Sequence, residues 1–308
     1  MTDGQIRAPR ESRTNGRHEQ SEKLSVERDL PAGSSVTEQK QFALTLDLEN
    51  DWYFDEPGYD HLTFEYIDEF IRLVDGLDIP LSIFVVGRTL ERYPEVIDRL
   101  RSELDSEFHL HSYSHELERT TFEKDLEAGI TAFRDHFGTD PIGYRAPYGK
   151  IDASDFETLA AKGFLFDSSI FPSYRPGVYR NLDTPLEPYS PGPAPELLEI
   201  PIGVVRGLRI PLSQNYLKLF GRPLLELLSE QLLPDTLVYN IHLQDLYRTE
   251  SYDNLGTVKS WIMERNLNRS PEILKETVQR LQSAGYRARS MSEIYEQNRV
   301  RTKIQYSQ

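Results

Sequence analysis

From Phe42 onward the chain alternates between short apolar runs of β character and longer stretches with apolar residues at helical spacing. Phe42-Ala-Leu-Thr-Leu-Asp-Leu-Glu49 is strand-like and ends in carboxylates. Over residues 64–77, apolar side chains fall at Phe64, Ile67, Phe70, Ile71 and Val74, the spacing of one helix face. A buried strand over 81–87 closes on Gly87. A helix over 94–104 carries Pro94 in its first turn. The pattern then predicts a strand over 107–112, a helix over 122–137 ended by Gly138, a strand over 142–146, a helix over 152–162 ended by Gly163 and a strand over 164–168. A Pro-, Gly- and Tyr-rich stretch over 171–195 reads as an ordered loop near a site. Strands over 197–205, 237–242 and 287–290 and helices over 217–233 and 271–283 complete the pattern. Strands alternating with helices predict a parallel sheet. About seven such units suit an α/β fold, a distorted seven-stranded (β/α) barrel forming a single domain over 41–300.

Residues 1–40 break this pattern. They are polar and charged and bury too little to offset the entropy of ordering, so a disordered tail is expected there. The whole chain of 308 residues, 38% hydrophobic, is long enough for a sizeable core. Its formal net charge of -15 disfavours nucleic acid and anionic membrane as partners. Arg outnumbers Lys and Cys is absent, as in a salt-adapted or an ordinary acidic protein. Without cysteine there is no disulfide or thiolate chemistry, and any transition-metal site must use His, Asp and Glu. No run of about 18 apolar residues exists, so no membrane span is expected. The first residues lack the apolar segment of a secretory signal, which makes a cytoplasmic location the expectation.

Polar residues recur where the strands end: Asp47 and Glu49, His111, Arg145, Asp167 and His242. In a parallel barrel those ends share one rim, where sites form. His111 and His115 are four apart, and a helical turn after the strand would let both imidazoles face one point. A carboxylate from Asp47-Leu-Glu49 would complete a two-His, one-carboxylate set with open positions for water. The pair alone is more readily read as surface or core histidines than as metal ligands. His109 lies on the same strand face as His111 and is expected not to be a ligand. Arg145 begins Arg-Ala-Pro-Tyr-Gly149; it could clamp a carboxylate, and the Tyr148 amide could face an oxyanion, which Pro147 cannot do. His242, with Asp245 three residues on, could act as a general acid.

In order, these segments resemble the five motifs of the polysaccharide deacetylases, the NodB-homology proteins of carbohydrate esterase family 4. The resemblance runs from about Phe42 to Ile294. The family's first motif, Thr-Phe-Asp-Asp-Gly, is Thr45-Leu-Asp-Leu-Glu49 here, so the chain is similar to the Asp-x-Asp and Asp-x-Glu branches. His111-Ser-Tyr-Ser-His115 and Arg145 to Gly149 match the second and third motifs. Asp167 stands in a looser fourth, and Asn240-Ile-His242 forms a fifth with Asn in place of Leu.

The resemblance implies a NodB-like barrel and a divalent metal, zinc first, with cobalt, manganese or nickel as alternatives. The metal would be held by Glu49, His111 and His115, with Asp51 a weaker candidate than Glu49. It further implies Asp47 as catalytic base oriented by Arg145, Tyr148 as oxyanion donor, and His242 as general acid with Asp167 holding it. The implied reaction removes an N-acetyl or related acyl group from an amino sugar in a glycan or a lipid- or nucleotide-linked precursor. The altered first motif also admits a small-molecule cyclic-amide hydrolase or other amidase, and a third reading is a non-catalytic carbohydrate-binding relic.

Overall fold

The computed structural model describes residues 39–53, 56, 58–116, 122–229 and 231–305. The tail expected over 1–40 therefore lies, up to residue 38, outside the described residues. The first half of the fold runs β1 (Gln41–Leu48), α1 (Ile67–Asp75), β2 (Leu81–Val85), α2 (Gly87–Arg92), α3 (Pro94–Glu103), β3 (Ser106–Leu110), α4 (Phe122–Phe137), β4 (Gly143–Tyr144), α5 (Ala153–Ala161) and β5 (Phe166–Asp167). A hairpin of β6 (Tyr174–Arg175) and β7 (Tyr179–Arg180) follows, then β8 (Leu198–Glu199) and a second small pair, β9 (Val204–Val205) and β10 (Ile210–Pro211). The chain ends with α6 (Gln214–Phe220), α7 (Arg222–Glu226), β11 (Thr236–Ile241), α8 (Thr257–Glu264), α9 (Ser270–Ser283), β12 (Arg287–Ala288) and α10 (Met291–Gln305).

The main sheet is parallel throughout, in the order β11-β1-β2-β3-β4-β5-β8, with β12 pairing the first two residues of β1. It curls into an incomplete (β/α) barrel, as the strand–helix alternation predicts. β8 and β11 do not pair as strands. The chain after β8 crosses the gap instead, with the Gly203 amide donating to Val238 O (2.9 Å) and the Asn240 amide to Leu212 O (3.2 Å). Pro201, which has no amide hydrogen, interrupts the strand expected over 197–205. A Cβ at Gly203 would meet Val238 O at 3.1 Å, so this close approach favours glycine.

Side-chain alternation along the strands sorts the residues by function. Phe42, Leu44, Leu46 and Leu48 of β1 face outward into the large core under the helices, alongside Leu81, Ile83 and Val85 of β2 and Tyr239 and Ile241 of β11. Burying each such side chain contributes roughly 1.5–3 kcal/mol. Ala43 faces the barrel interior with Phe84, Phe166 and Val238, and Met291 and Ile294 of α10 plug that interior from below. Thr45 and Asp47, on the same face as Ala43, therefore line the upper interior.

Several local expectations change. The helix expected over 217–233 breaks at Gly221 (φ 62), and Pro223 starts a new short helix, α7. The helices α2, α8 and α10 were not anticipated; α8 buries none of its residues and so carries little apolar periodicity. No helix among the described residues is long and apolar enough to cross a membrane.

His109 is a core residue. It lies between the rings of Phe84 and Phe166, and its Nε2 is 2.9 Å from Glu107 Oε1. Glu107 in turn accepts from Ser82 Oγ, Ser290 Oγ and the Ser292 amide, tying β3 to the start of α10. Burial opposes ionisation of Glu107, but His109 and these donors hold its carboxyl well below the ordinary range. A Cβ at Gly143 would sit 2.2 Å from Phe166 Cζ and 2.9 Å from His109 Nδ1. We expect Gly143→Ala to destabilise the fold by about 1–3 kcal/mol, read as a lower thermal midpoint; an unchanged midpoint would show that this part of the interior can yield.

Candidate active site

Alternation along β1 explains the spacing of its carboxylates. Leu48 points into the outer core, whereas Asp47 and Glu49 share the inner face at the rim. A carboxylate at position 48 would face the wrong way in this register, and Glu49 takes the place beside the histidines. Its Oε2 lies 2.6 Å from His115 Nε2 and 3.4 Å from His111 Nε2. Its Oε1 accepts from Gln244 Nε2 at 3.1 Å. Burial alone would raise the Glu49 pKa, but the charges of His115 and His242 outweigh it and hold the carboxyl well below its usual range.

The two imidazoles converge without a helical turn. Ser112 (φ 61) and His115 (φ 61) adopt left-handed backbone, which costs on the order of 1 kcal/mol for each non-glycine residue. Asp125 of α4 holds this loop by accepting from the amides of Tyr113 (2.8 Å) and Ser114 (2.9 Å). Ser112 Oγ accepts from the His115 amide at 3.0 Å. His111 Nδ1 lies 2.8 Å from the Arg145 carbonyl oxygen, which can only accept, so Nδ1 donates there and Nε2 is the nitrogen turned toward Glu49.

Glu49, His111 and His115 thus form a buried triad whose ligand atoms all lie within 4.8 Å of one another. Two imidazoles and one carboxylate suit a divalent metal ion with open coordination positions. Asp51 is directed elsewhere. Its carboxylate accepts from the Thr63 amide (2.9 Å) and Thr63 Oγ1 (2.6 Å), and burial pushes its pKa up to about 6.

Arg145 reaches from the end of β4 into the barrel and is 1% exposed. Its Nη1 donates to Asp47 Oδ1 at 2.5 Å and to Thr45 Oγ1 at 3.0 Å, and its Nε donates to Ser168 O at 2.8 Å. The guanidinium lies 3.9 Å from the centre of the Phe84 ring. Asn240, directly opposite Thr45 in the β1–β11 register, donates from Nδ2 to Asp47 Oδ2 at 3.1 Å and accepts from Arg145 at Oδ1. Asp47 is therefore held at both oxygens. In the sequence Asn240 stands out only as a replacement for Leu; its polar place on the strand beside Thr45 is the signal that points to this role.

His242 follows β11. Its Nε2 lies 3.7 Å from Asp47 Oδ2 and 3.8 Å from Glu49 Oε1. Its Nδ1 is 2.9 Å from Asp245 Oδ2. Burial works against the imidazolium, but Glu49, Asp245 and Asp47 outweigh it and push its pKa up to about 9. The place expected for Asp167 beside His242 is thus filled by Asp245, brought there by the 3-10 turn that starts after His242. Asp167 instead accepts from the Ser169 amide (2.9 Å) and Ser169 Oγ (2.7 Å), and Ser169 Oγ accepts from the Ala146 amide (2.7 Å). Asp167 thereby supports the backbone that carries Arg145. Burial beside Glu199 raises the pKa of both carboxyls, the pattern of two acids sharing a proton.

Tyr148 (φ 58) sits in the turn after β4, with its ring 5.1 Å from that of His115. Asp47, Glu49, His111, Arg145, Asn240 and His242 line one cleft, with aromatic walls from Trp52, Tyr148, Phe171, Tyr179 and Tyr216 and two further cations, Arg175 and Lys259. An acidic floor beside aromatic walls suits an uncharged polar ring with apolar faces.

Residues 36–165 match the family model for polysaccharide deacetylase. That segment holds Asp47, Glu49, both histidines, Arg145 and Tyr148, and it ends before Asp167 and His242. A peptidoglycan deacetylase-like protein of Gibberella zeae is 28% identical over 110 residues, 34% of this chain, and the chain spans about a third (32%) of that relative's length. A structure named as a polysaccharide deacetylase from Mycobacterium smegmatis superposes with a TM-score of 0.56 at 21% identity, covering 86% of this chain and 92% of that one. A Puue allantoinase structure superposes with a TM-score of 0.58 at 14% identity, covering 85% and 91%. These two likenesses concern the fold. The family match is thus confined to residues 36–165, and the barrel of the same fold continues beyond it.

Proposed function

We propose that this chain is a metal-dependent hydrolase that removes an N-acetyl or related acyl group from an amino sugar. One observation carries the reading: Glu49 and His111 of the buried Glu49–His111–His115 triad, an Asp47 held at both oxygens and a paired His242 all line one cleft. A divalent ion on the triad, zinc first given its imidazole and carboxylate donors, and cobalt, manganese or nickel as alternatives, would polarise the acyl carbonyl and lower the pKa of water.

The chain's own residues do the rest. Asp47 accepts the proton of the attacking water, and Arg145 and Asn240 fix its carboxylate in one orientation while it does so. The Tyr148 amide donates to the developing oxyanion. The C–N bond breaks as His242 delivers its Nε2 proton to the departing nitrogen, leaving free amine and carboxylate. Asp245 holds His242 by Nδ1, so that Nε2 is the atom presented to the cleft. Asp167 supports the backbone at Ala146 rather than His242. Acetate release from N-acetylhexosamines, measured beside ring opening of cyclic amides, tests the reading. Ring opening without acetate release would favour the small-molecule amidase reading, which the departure at Leu48 supports.

The cleft also supports a linked or activated sugar as substrate. Arg175 and Lys259 come from different elements, line the same cleft and repel one another: burial and then Arg175 lower the Lys259 pKa. Arg175 makes no ion pair among the described residues, so an anionic group on the sugar would find a cation there. We expect Arg175→Gln to raise KM about tenfold for N-acetylglucosamine 1-phosphate, equivalent to about 1.4 kcal/mol, and to leave KM for the neutral sugar unchanged. Equal effects on both would remove the preference for a charged substrate.

A further inference from the structure

Lys218 in α6 is a buried ammonium, 0% exposed. Its Nζ has no hydrogen-bond partner and lies 3.6 Å from Asp245 Oδ1. A desolvated ammonium is costly unless a carboxylate answers it, and Asp245 is the carboxylate in reach. The two ends of Asp245 are therefore divided: Oδ1 faces Lys218, and Oδ2 faces His242 Nδ1 at 2.9 Å.

Helix α6 holds the same aspartate a second way. Gln214 Nε2 donates to Ser270 O (2.7 Å) and Ser270 Oγ (2.6 Å), and Ser270 Oγ donates to the Asp245 carbonyl (2.6 Å). The Tyr239 hydroxyl donates to Gln214 Oε1, locking the helix to β11. Lys218, Asp245, His242 and Asp47 so form one line of charged groups from the core to the cleft. Asp47 and Glu49 repel Asp245 from the far side of His242, and Lys218 supplies the opposing charge. The Asp245 carboxyl accordingly lies below its ordinary range: burial raises it, and Lys218 is the strongest influence the other way.

We propose that Lys218 is a positioning residue, the buried cation that fixes the Asp245 carboxylate so that it accepts from His242 Nδ1 and aims Nε2 at the leaving nitrogen. The inference rests on His242 acting as general acid. Lys218 touches neither substrate nor the metal triad and acts only through Asp245.

The test compares two substrates in metal-loaded enzyme. An acetamide expels a poor leaving group that needs a proton, whereas 4-nitrophenyl acetate expels a phenolate that needs none. Lys218→Met should lower kcat on an N-acetylglucosamine oligomer about 30-fold with KM unchanged, within the range for disabling general acid catalysis. Turnover of 4-nitrophenyl acetate and metal content should stay within twofold. Asp245→Asn should give the same pattern, and the double variant should be no worse than Asp245→Asn alone, because both act through one contact.

An unchanged acetamide kcat, or an equal loss on both substrates, would overturn the proposal. If Lys218→Met does not fold, the comparison of Asp245→Asn with the double variant decides: a further acetamide-specific loss in the double variant would overturn it. Wild-type enzyme inactive on every acetamide would defeat the deacetylase reading instead, and the same ratios would then be measured on a cyclic amide.

Discussion

Asp47→Asn should lower acetamide turnover by about a thousandfold, in the range expected for loss of a positioned base, while metal content stays at the wild-type level. The amide nearly matches the carboxylate in size, so the buried network around Arg145 Nη1 and Asn240 Nδ2 keeps its shape. It loses the negative charge that accepts a proton from water and balances Arg145. Removing that charge leaves the guanidinium, 1% exposed, with only neutral acceptors at Thr45, Asn240 and Ser168. Some loss of stability, about 3–5 kcal/mol for breaking a buried ion pair, should therefore accompany the loss of activity. Since Asp47 is not in the triad, metal bound per chain separates a lost base from a lost cofactor. Turnover near wild type would rule out Asp47 as the base.

Glu49→Ala should have the larger effect, removing both metal and activity, about 10⁴-fold if the ion supplies several kcal/mol of the barrier reduction. Glu49 Oε2 is the atom that faces both imidazoles, and no other described carboxylate joins the triad. Asp51→Asn is the matched control. Its carboxylate is engaged by Thr63, so this variant should keep its metal. Metal retained in Glu49→Ala, or lost in Asp51→Asn, would exchange the two assignments.

The parallel barrel was legible because its strands are short, apolar and punctuated by Gly and Pro between amphipathic helices. Where the reading failed, tertiary context overrode local pattern. Helix α10 was missed because its periodicity is weak and its role is to plug the barrel with Met291 and Ile294. The helix broken at Gly221 carried helical periodicity on both sides of a residue whose φ is 62. At the site, residues standing at strand ends were readable, because a parallel sheet gathers them on one rim. Residues acting from neighbouring elements were not. Asp125 anchors the histidine loop from α4, Asn240 holds Asp47 from β11, and Lys218 faces Asp245 from α6. The misplacement of Asp167 has the same origin: a strand-end position says which rim a carboxylate shares, not which histidine it meets.

Metal content and acetate release measured in one preparation of the chain decide whether the Glu49–His111–His115 triad serves deacetylation. We expect about one divalent ion per chain, acetate released from an N-acetylated amino sugar, and loss of that activity on chelation with recovery on adding metal back. A preparation that binds no metal, or that carries metal and opens cyclic amides without releasing acetate from any amino sugar, would contradict it.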